Sequence, residues 1–205
     1  YRGPLSFDVE KHADGRVTFP GLDEAERRMD YLYATRDALV NIAGDAEPGE
    51  PNVLQGQAKI VAEAPEKVLE ALDRDLNTPV ALSVLAELGK AANEIVMQAP
   101  KMKKDVAKSE ALKKLAAAAI RSLDAACAPL GLMQAPSAEY WKRTKERRLR
   151  LRGLDAPSID AKVAERSEAR KAKDFAKADA IRKELAAVGV EIFDAGDTSS
   201  WKIAL

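Results

Sequence analysis

Residues 170–201 combine arginine, aspartate and aromatic side chains in a pattern that could contact nucleic-acid bases. Arg170 offers a planar fork of N–H donors that fits the edge of a guanine. Asp179 and Asp194 can accept hydrogen bonds from the exocyclic amines of cytosine or adenine. Phe175 and Trp201 offer flat faces on which unstacked bases of an RNA loop can lie. From residue types alone the plainer alternative is favoured, in which Arg170 and Asp179 form a surface ion pair and both rings belong to a core.

A run of basic residues precedes this group. WKRTKERRLRLR carries seven basic residues and one acid between Lys142 and Arg152, an excess that would attract a phosphate backbone. A solvated linker helix would have the same composition, so both interpretations stay open. The candidates for phosphate contact are Lys142, Arg143, Lys145, Arg147 and Arg148.

Residues that could catalyse a reaction or bind a metal are scarce. The single histidine, His12, and the single cysteine, Cys127, are far apart in sequence, whereas a metal site usually needs three or four neighbouring ligands. We interpret His12 as a surface residue and Cys127 as a core residue on the apolar face of a helix. No glycine-rich phosphate loop occurs, and KMKK at 101–104 is interpreted as a solvated lysine face. We therefore assign no catalytic residue and no metal ligand.

The composition is typical of a soluble, mainly helical protein. Of 205 residues, 46% are hydrophobic, 32% are charged and 5% are aromatic, with a formal net charge of zero. No apolar stretch approaches the roughly 20 residues of a membrane helix, and no signal peptide is visible. A single cysteine fits a reducing compartment. We expect a cytoplasmic protein without membrane contact and, because the chain opens on Tyr1 rather than methionine, a fragment.

Apolar residues that recur every three or four positions predict a helical bundle over residues 21–135. Its first helix runs from about Leu22 to Gly44, and a second helical stretch covers about 53–75. Residues 1–20 lack a period and form an irregular leading segment. The predicted fold class is therefore mainly α, beginning with a helical bundle.

Proline and capping residues predict where individual helices begin. Pro65 should start a new helix within the second stretch, because proline fits a first turn and breaks an interior. Thr78 is the expected N-cap of the following helix, with Pro79 at its first position. Ser158 and Asp174 are the expected N-caps of two further helices.

A small α+β module of two helices and a β-hairpin is predicted over residues 158–205, after a basic connector at 136–157. In its second helix we expect Phe175 to point inward together with Ala178, Ile181 and Leu185. Gly189 should follow the end of that helix.

Three stretches resemble bacterial cysteine–tRNA ligases, and the likeness runs nearly end to end. The C-terminal stretch is the most specific, because order and spacing hold over more than thirty residues. It is similar to the family's R-x-x-A-R-x-x-K-D-W-x-x-A-D-x-I-R pattern and the G-T-x-W ending that follows. The stretches are YRGPLSF, ALDRDLNTPVALSVLAEL and RSEARKAKDFAKADAIRKELAAVGVEIFDAGDTSSW.

This resemblance assigns roles to the base-contact candidates. Arg170, Asp179 and Asp194 fall on positions that read the GCA anticodon. Phe175 replaces a stacking tryptophan, which keeps a ring but loses the indole N–H, and Trp201 matches the tryptophan near the family's end. The resemblance thus implies a DALR-type helical domain followed by an anticodon-binding module.

The resemblance also implies partners and cofactors. The partners would be the anticodon stem-loop of cysteine tRNA and the ligase's own N-terminal catalytic domain. ATP and zinc would serve the full-length enzyme, whereas the HIGH and KMSKS motifs and the zinc ligands are missing from this chain, which should be inactive alone. Two alternatives remain: a stand-alone helical RNA- or protein-interaction module, and part of a mycothiol-pathway cysteine ligase. The second has no anticodon to read and should not share the KDFAKAD stretch.

Overall fold

The computed structural model describes residues 9–11, 17–49, 52–195 and 198–203. The chain divides into two compact units, Tyr1–Ala135 and Pro136–Leu205. We call them the first and second units and describe each by itself.

The first unit is a bundle of four long helices, which confirms the predicted mainly α class. Two short antiparallel strands precede it, with Glu10 opposite Thr18. The first helix has the predicted bounds to within two residues. The elements are β1 (Glu10–Lys11), β2 (Val17–Thr18), α1 (Pro20–Ala43), α2 (Gln55–Asp73), α3 (Thr78–Met102) and α4 (Val106–Cys127).

The apolar faces of these helices pack into one core. Leu39 of α1, Leu88 and Ile95 of α3 and Leu123 of α4 have no solvent-exposed surface. Short alanine side chains along α4, including Ala116, leave little space between the helices. The period of three to four residues thus identified the buried faces correctly.

Pro65 does not begin a new helix, and that prediction was wrong. Helix α2 runs uninterrupted through Pro65, which lacks the N–H that would bond to the carbonyl of Val61. Ser122 of α4 supplies the missing donor, since its Oγ lies 2.6 Å from the Val61 carbonyl oxygen and donates to it. A hydrogen bond from another helix therefore lets the proline remain inside α2.

Two of the predicted N-caps are displaced. Asn77, not Thr78, caps α3, and its side chain accepts from the backbone N–H of Val80. Asp155, not Ser158, caps the helix that begins at Ala156, and its carboxylate accepts from both the backbone N–H and the hydroxyl of Ser158. In both cases a stronger acceptor one or three residues earlier replaces the expected hydroxyl.

The second unit is a small α+β module of three helices and a hairpin. The hairpin was predicted, and its strands pair with Val190 opposite Ile203 and Ile192 opposite Trp201. Asp174 caps the last helix as predicted, accepting from the N–H of Lys177. The elements are α5 (Ser137–Arg152), α6 (Ala156–Lys171), α7 (Phe175–Ala187), β3 (Val190–Ala195) and β4 (Thr198–Ile203).

A compact apolar cluster holds the second unit together. The segment 136–157, expected to be a connector, forms α5 and the turn into α6, and its Leu149 is part of this cluster. The buried members are Leu149, Ile159, Val163, Ile181, Leu185, Val190 and Ile203.

Arginine side chains close the second unit around this cluster. Arg148 is 7% exposed and donates to the carbonyl of Ile203 on β4. Arg152 donates to the carbonyl of Val188 after α7 and lies directly against Gly189, whose φ is +77°. The left-handed backbone favours glycine there, and a Cβ would also displace the guanidinium of Arg152.

Within the described ranges, no helix is both long and apolar enough to cross a membrane.

Candidate nucleic-acid interface

An arginine–carboxylate pair joins α6 to the hairpin. Arg166 Nη1 and Nη2 lie 2.8 and 2.9 Å from Asp194 Oδ1 and Oδ2, a bidentate arrangement. The Arg166 side chain is 6% exposed and that of Asp194 is 32% exposed. This pair fixes the end of β3 against the C-terminal half of α6.

Arg170 and Ser199 complete the network around Asp194. Arg170 Nη1 lies 3.0 Å from Asp194 Oδ1, and the Ser199 hydroxyl donates to the same oxygen over 2.7 Å. The hydrogen bonds from Arg166 and Ser199 hold the pKa of the Asp194 carboxyl far below its usual range. Two of the predicted base contacts, Arg170 and Asp194, therefore touch each other, and the expected Arg170–Asp179 surface pair is not what the structure contains.

Sequence reasoning missed Arg166, although a signal for it existed. Arg166 and Arg170 are four residues apart on α6, a spacing that places both side chains on one helix face. The partner Asp194 lies 28 residues away from Arg166. No local pattern predicts that separation.

Asp179 stands apart from this network. It is exposed on α7 and makes no hydrogen bond or ion pair within the described part of the chain. Its charge adds to that of Asp194 in raising the pKa of the Arg166 guanidinium. Its carboxylate oxygens are therefore open to donors from a ligand.

Phe175 points outward, and the prediction that it points inward was wrong. It is the first residue of α7 and is 63% exposed, whereas Ala178, Ile181 and Leu185 are buried as expected. The spacing of three from Phe175 to Ala178 fits an apolar face, but the first turn of α7 extends past the core. The ring is free to meet a flat ligand.

Trp201 is occupied inside the second unit. Its Nε1 donates to Asp160 Oδ1 over 2.6 Å, and Lys145 Nζ lies 3.5 Å from the centroid of its ring. The ring also packs against the apolar cluster. One face and one edge of the indole are thus in use, and Lys145 is held over the ring.

Phe193 is an exposed ring that the sequence did not single out. It is 46% exposed on β3, and Lys202 Nζ of β4 lies 4.9 Å from its centroid. Side chains alternate along a strand, so Phe193 lies on the hairpin face opposite Ile192 and Asp194.

The candidate phosphate contacts lie on different faces of α5. Lys142, Arg143 and Arg147 are exposed, and Arg150 shares that side of the helix. Lys145 covers the Trp201 ring, and burial leaves Arg148 little surface for a phosphate. The outward side of α5 is therefore the basic surface of the second unit.

The other residues considered for chemistry are Cys127 and His12. Cys127 is fully buried in the first unit, which confirms its place on an apolar face, and burial raises its thiol pKa to about 11. His12 lies outside the described residues. Among those described, no three histidine, cysteine, aspartate or glutamate side chains are grouped so as to hold a metal ion.

Comparison with known families matches both units. The model of the DALR domain matches residues 67–134, and the model described as cysteinyl-tRNA ligase anticodon binding domain matches residues 153–201. The second match covers Arg166, Arg170 and Asp194. It favours a tRNA ligase over the mycothiol-pathway alternative, which has no anticodon to read.

Curated relatives named cysteine–tRNA ligase align with most or all of this chain. The protein of Anaeromyxobacter sp. (strain Fw109-5) is 38% identical over 89% of the chain and 35% of its own length. That of Oleidesulfovibrio alaskensis is 33% identical over 100% of the chain and 39% of its own length. That of Xanthomonas euvesicatoria is 36% identical over 100% of the chain and 37% of its own length. The chain thus spans little more than a third of these relatives.

The mainly helical fold and these matches point to the same family. The chain carries the DALR domain and the cysteinyl-tRNA ligase anticodon binding domain, and over 89–100% of its length it is similar to proteins named cysteine–tRNA ligase.

Proposed function

We propose that the second unit binds the anticodon stem-loop of cysteine tRNA and selects it by the GCA anticodon, without taking part in bond making. The observation that carries this proposal is the group of exposed base-contact side chains, Arg170, Phe175 and Asp179, within the stretch matched as an anticodon-binding domain.

Arg170 has the donors needed for a guanine. Its side chain is 41% exposed, and a guanidinium has five N–H donors, while only Nη1 lies close to Asp194, in an ion pair at 3.0 Å. The remaining donors can make a bidentate contact with O6 and N7 of guanine. The carboxylates of Asp179 and Asp194 would accept from the amino groups of cytosine and adenine.

Phe175 would provide the stacking surface. Stacking of a base on an aromatic side chain contributes about 1–3 kcal/mol, and this ring is largely exposed. The proposal gives Trp201 a supporting role instead, because Lys145 already covers one of its faces.

The outward side of α5 would contact phosphates. Lys142, Arg143 and Arg147 are exposed there and would release counterions on binding RNA, so affinity should fall steeply with salt. Lys145 and Arg148 would contribute less to phosphate binding, because both contact other residues within the second unit.

The wider reaction is proposed from the relatives. A complete ligase would use ATP and a zinc-bound cysteine to charge its tRNA in the cytoplasm, with a catalytic domain as the partner of this chain. This chain would contribute tRNA choice and positioning, since an anticodon is remote from the acceptor end.

Binding of RNA hairpins tests the proposal. The 205-residue chain should bind an arm with the GCA anticodon more tightly than one with an unrelated anticodon. Arg170→Ala should weaken the GCA complex by about 1–3 kcal/mol if this side chain contacts guanine bidentately. Arg182→Ala, which removes an exposed charge from α7 in the same unit, serves as the matched control.

Equal affinity for the two arms would contradict the specificity. Absence of any RNA footprint on Arg170 and Phe175, in a chain that folds normally, would instead favour a stand-alone interaction module.

A further inference from the structure

The two carboxylate oxygens of Asp194 differ in the number of donors that contact them. Its Oδ1 receives hydrogen bonds from Arg166 and Ser199 and forms an ion pair with Arg170 Nη1 at 3.0 Å, whereas Oδ2 receives one hydrogen bond, from Arg166. A carboxylate has about four lone-pair directions. Oδ2 is therefore the oxygen with room for an amino group of a base.

The guanidinium of Arg166 hydrogen-bonds only to Asp194 among the described residues. Both of its Nη atoms donate to Asp194, and its buried Nε has no hydrogen-bond partner among the described residues. An unpaired buried N–H is costly. The orientation of Arg166 is thus set by Asp194 and in turn holds that carboxylate.

Arg170 depends on the same carboxylate. Its Nη1 lies 3.0 Å from Asp194 Oδ1 while much of its side chain is exposed. A carboxylate that rotated away from Arg166 would withdraw the only ion-pair partner of Arg170 among the described residues. The position of the Arg170 guanidinium therefore depends on the orientation of the Asp194 carboxylate.

We propose that Arg166 is a positioning residue, which holds Asp194 and, through Asp194, Arg170 as one rigid pair. Discrimination at the two anticodon bases that this pair contacts is then coupled, and discrimination at the base contacted by Asp179 is not. The inference rests on the proposed function and adds a residue that touches no base.

Four RNA hairpins test the coupling: one with GCA and three with one anticodon base replaced each. With the wild-type chain each replacement should weaken binding about tenfold or more. With Arg166→Gln the penalty should nearly vanish for two of the replaced hairpins and persist for the third. Arg182→Gln, which removes a charge without a part in the network, should keep all three penalties.

Two further variants refine the test. Arg166→Lys keeps the charge but cannot bridge both oxygens, so it should also lose most of the two penalties. A role of Arg166 that is only electrostatic would be restored by lysine. Ser199→Ala removes one donor to Oδ1 and should reduce the same two penalties by a smaller factor.

Each outcome is decisive. Retention of all three penalties in Arg166→Gln, or equal loss of all three in a chain whose tryptophan fluorescence matches that of the wild type, would overturn the positioning role. If Arg166→Gln does not fold, Arg166→Lys and Ser199→Ala decide by the same criterion. A wild-type chain without preference for GCA would instead refute the proposed function, and this inference with it.

Discussion

The two units of this chain differ in the proportion of apolar packing and arginine contacts that hold them together. In the first unit, leucine, isoleucine, valine and alanine side chains from four long helices form a continuous apolar core. In the second, a small apolar cluster is surrounded by arginine contacts that join separate elements, such as Arg166–Asp194, Arg148–Ile203 and Arg152–Val188.

This difference explains where the candidate site lies. Apolar packing is non-directional and tolerates exchange of similar side chains. The directional contacts of the bundle, Ser122–Val61 and the bidentate Arg36–Asp124 pair, join its helices to one another. Charged hydrogen bonds are directional, and those around Asp194 hold exposed donors and acceptors at defined positions. The second unit is thus the one suited to specific recognition.

The largest effect should come from the core of the bundle. Leu88→Ala should lower the free energy of unfolding of the first unit by about 2–5 kcal/mol, because Leu88 is fully buried. Leu82→Ala, on the exposed side of the same helix, is the matched control and should cost far less.

Two optical signals separate the units. Both tryptophans, Trp141 and Trp201, belong to the second unit, whereas far-UV circular dichroism reports mostly on the long helices. For Leu88→Ala the dichroism transition should shift and the fluorescence transition should not. A joint shift would show that the two units unfold together and would break the comparison.

Ser122→Ala should have the next largest effect, because it leaves the buried Val61 carbonyl without its donor. We expect a loss of about 1–3 kcal/mol in the first unit, measured by denaturant unfolding. The loss should shrink in a Pro65→Ala background, where the backbone N–H at position 65 is restored. Ser83→Ala, exposed on α3, is the control; additive effects of Ser122→Ala and Pro65→Ala would contradict the explanation.

Gly189→Ala should destabilise the second unit by about 1–2 kcal/mol and displace Arg152 from the Val188 carbonyl. Gly153→Ala separates the two causes of this loss, which are backbone strain at a positive φ and displacement of Arg152. Gly153 has a similar φ of +63°, but no atom lies within 4 Å of the position of its Cβ. Tryptophan fluorescence should show the larger loss for Gly189→Ala, and equal losses would mean that backbone strain alone matters.

The smallest expected effect is the pH dependence of the second unit, about 1 kcal/mol or less. The pKa of the Asp194 carboxyl is lowered in the folded state, so the unfolded state binds more protons and stability rises with pH in that range. The contribution should be complete above about pH 4, the ordinary pKa of aspartate, and decline as the pH falls further. Unfolding curves of wild type and Asp194→Asn should converge in acid; a constant difference between them would refute the ionic role.

The sequence predicted helix and hairpin existence well because those features follow from local periodicity. Leu39, Leu88 and Leu123 could be placed in a core from spacing alone. The predictions failed where a residue far away in the sequence determines the local structure. Pro65 was expected to begin a helix, but the hydrogen bond from Ser122 to the Val61 carbonyl lets it lie inside α2. Phe175 was misplaced because spacing does not say where the core ends.

The sequence by itself determined the bundle, the hairpin and the family resemblance, and it supplied the base-contact candidates, since each depends on residue type and local order. Only the tertiary structure decided that Asp194 is bound to Arg166 and Arg170, that Lys145 covers Trp201, and that the Phe175 ring is exposed. Those outcomes depend on contacts between elements far apart in the chain, and no local pattern encodes which partner a long charged side chain will meet.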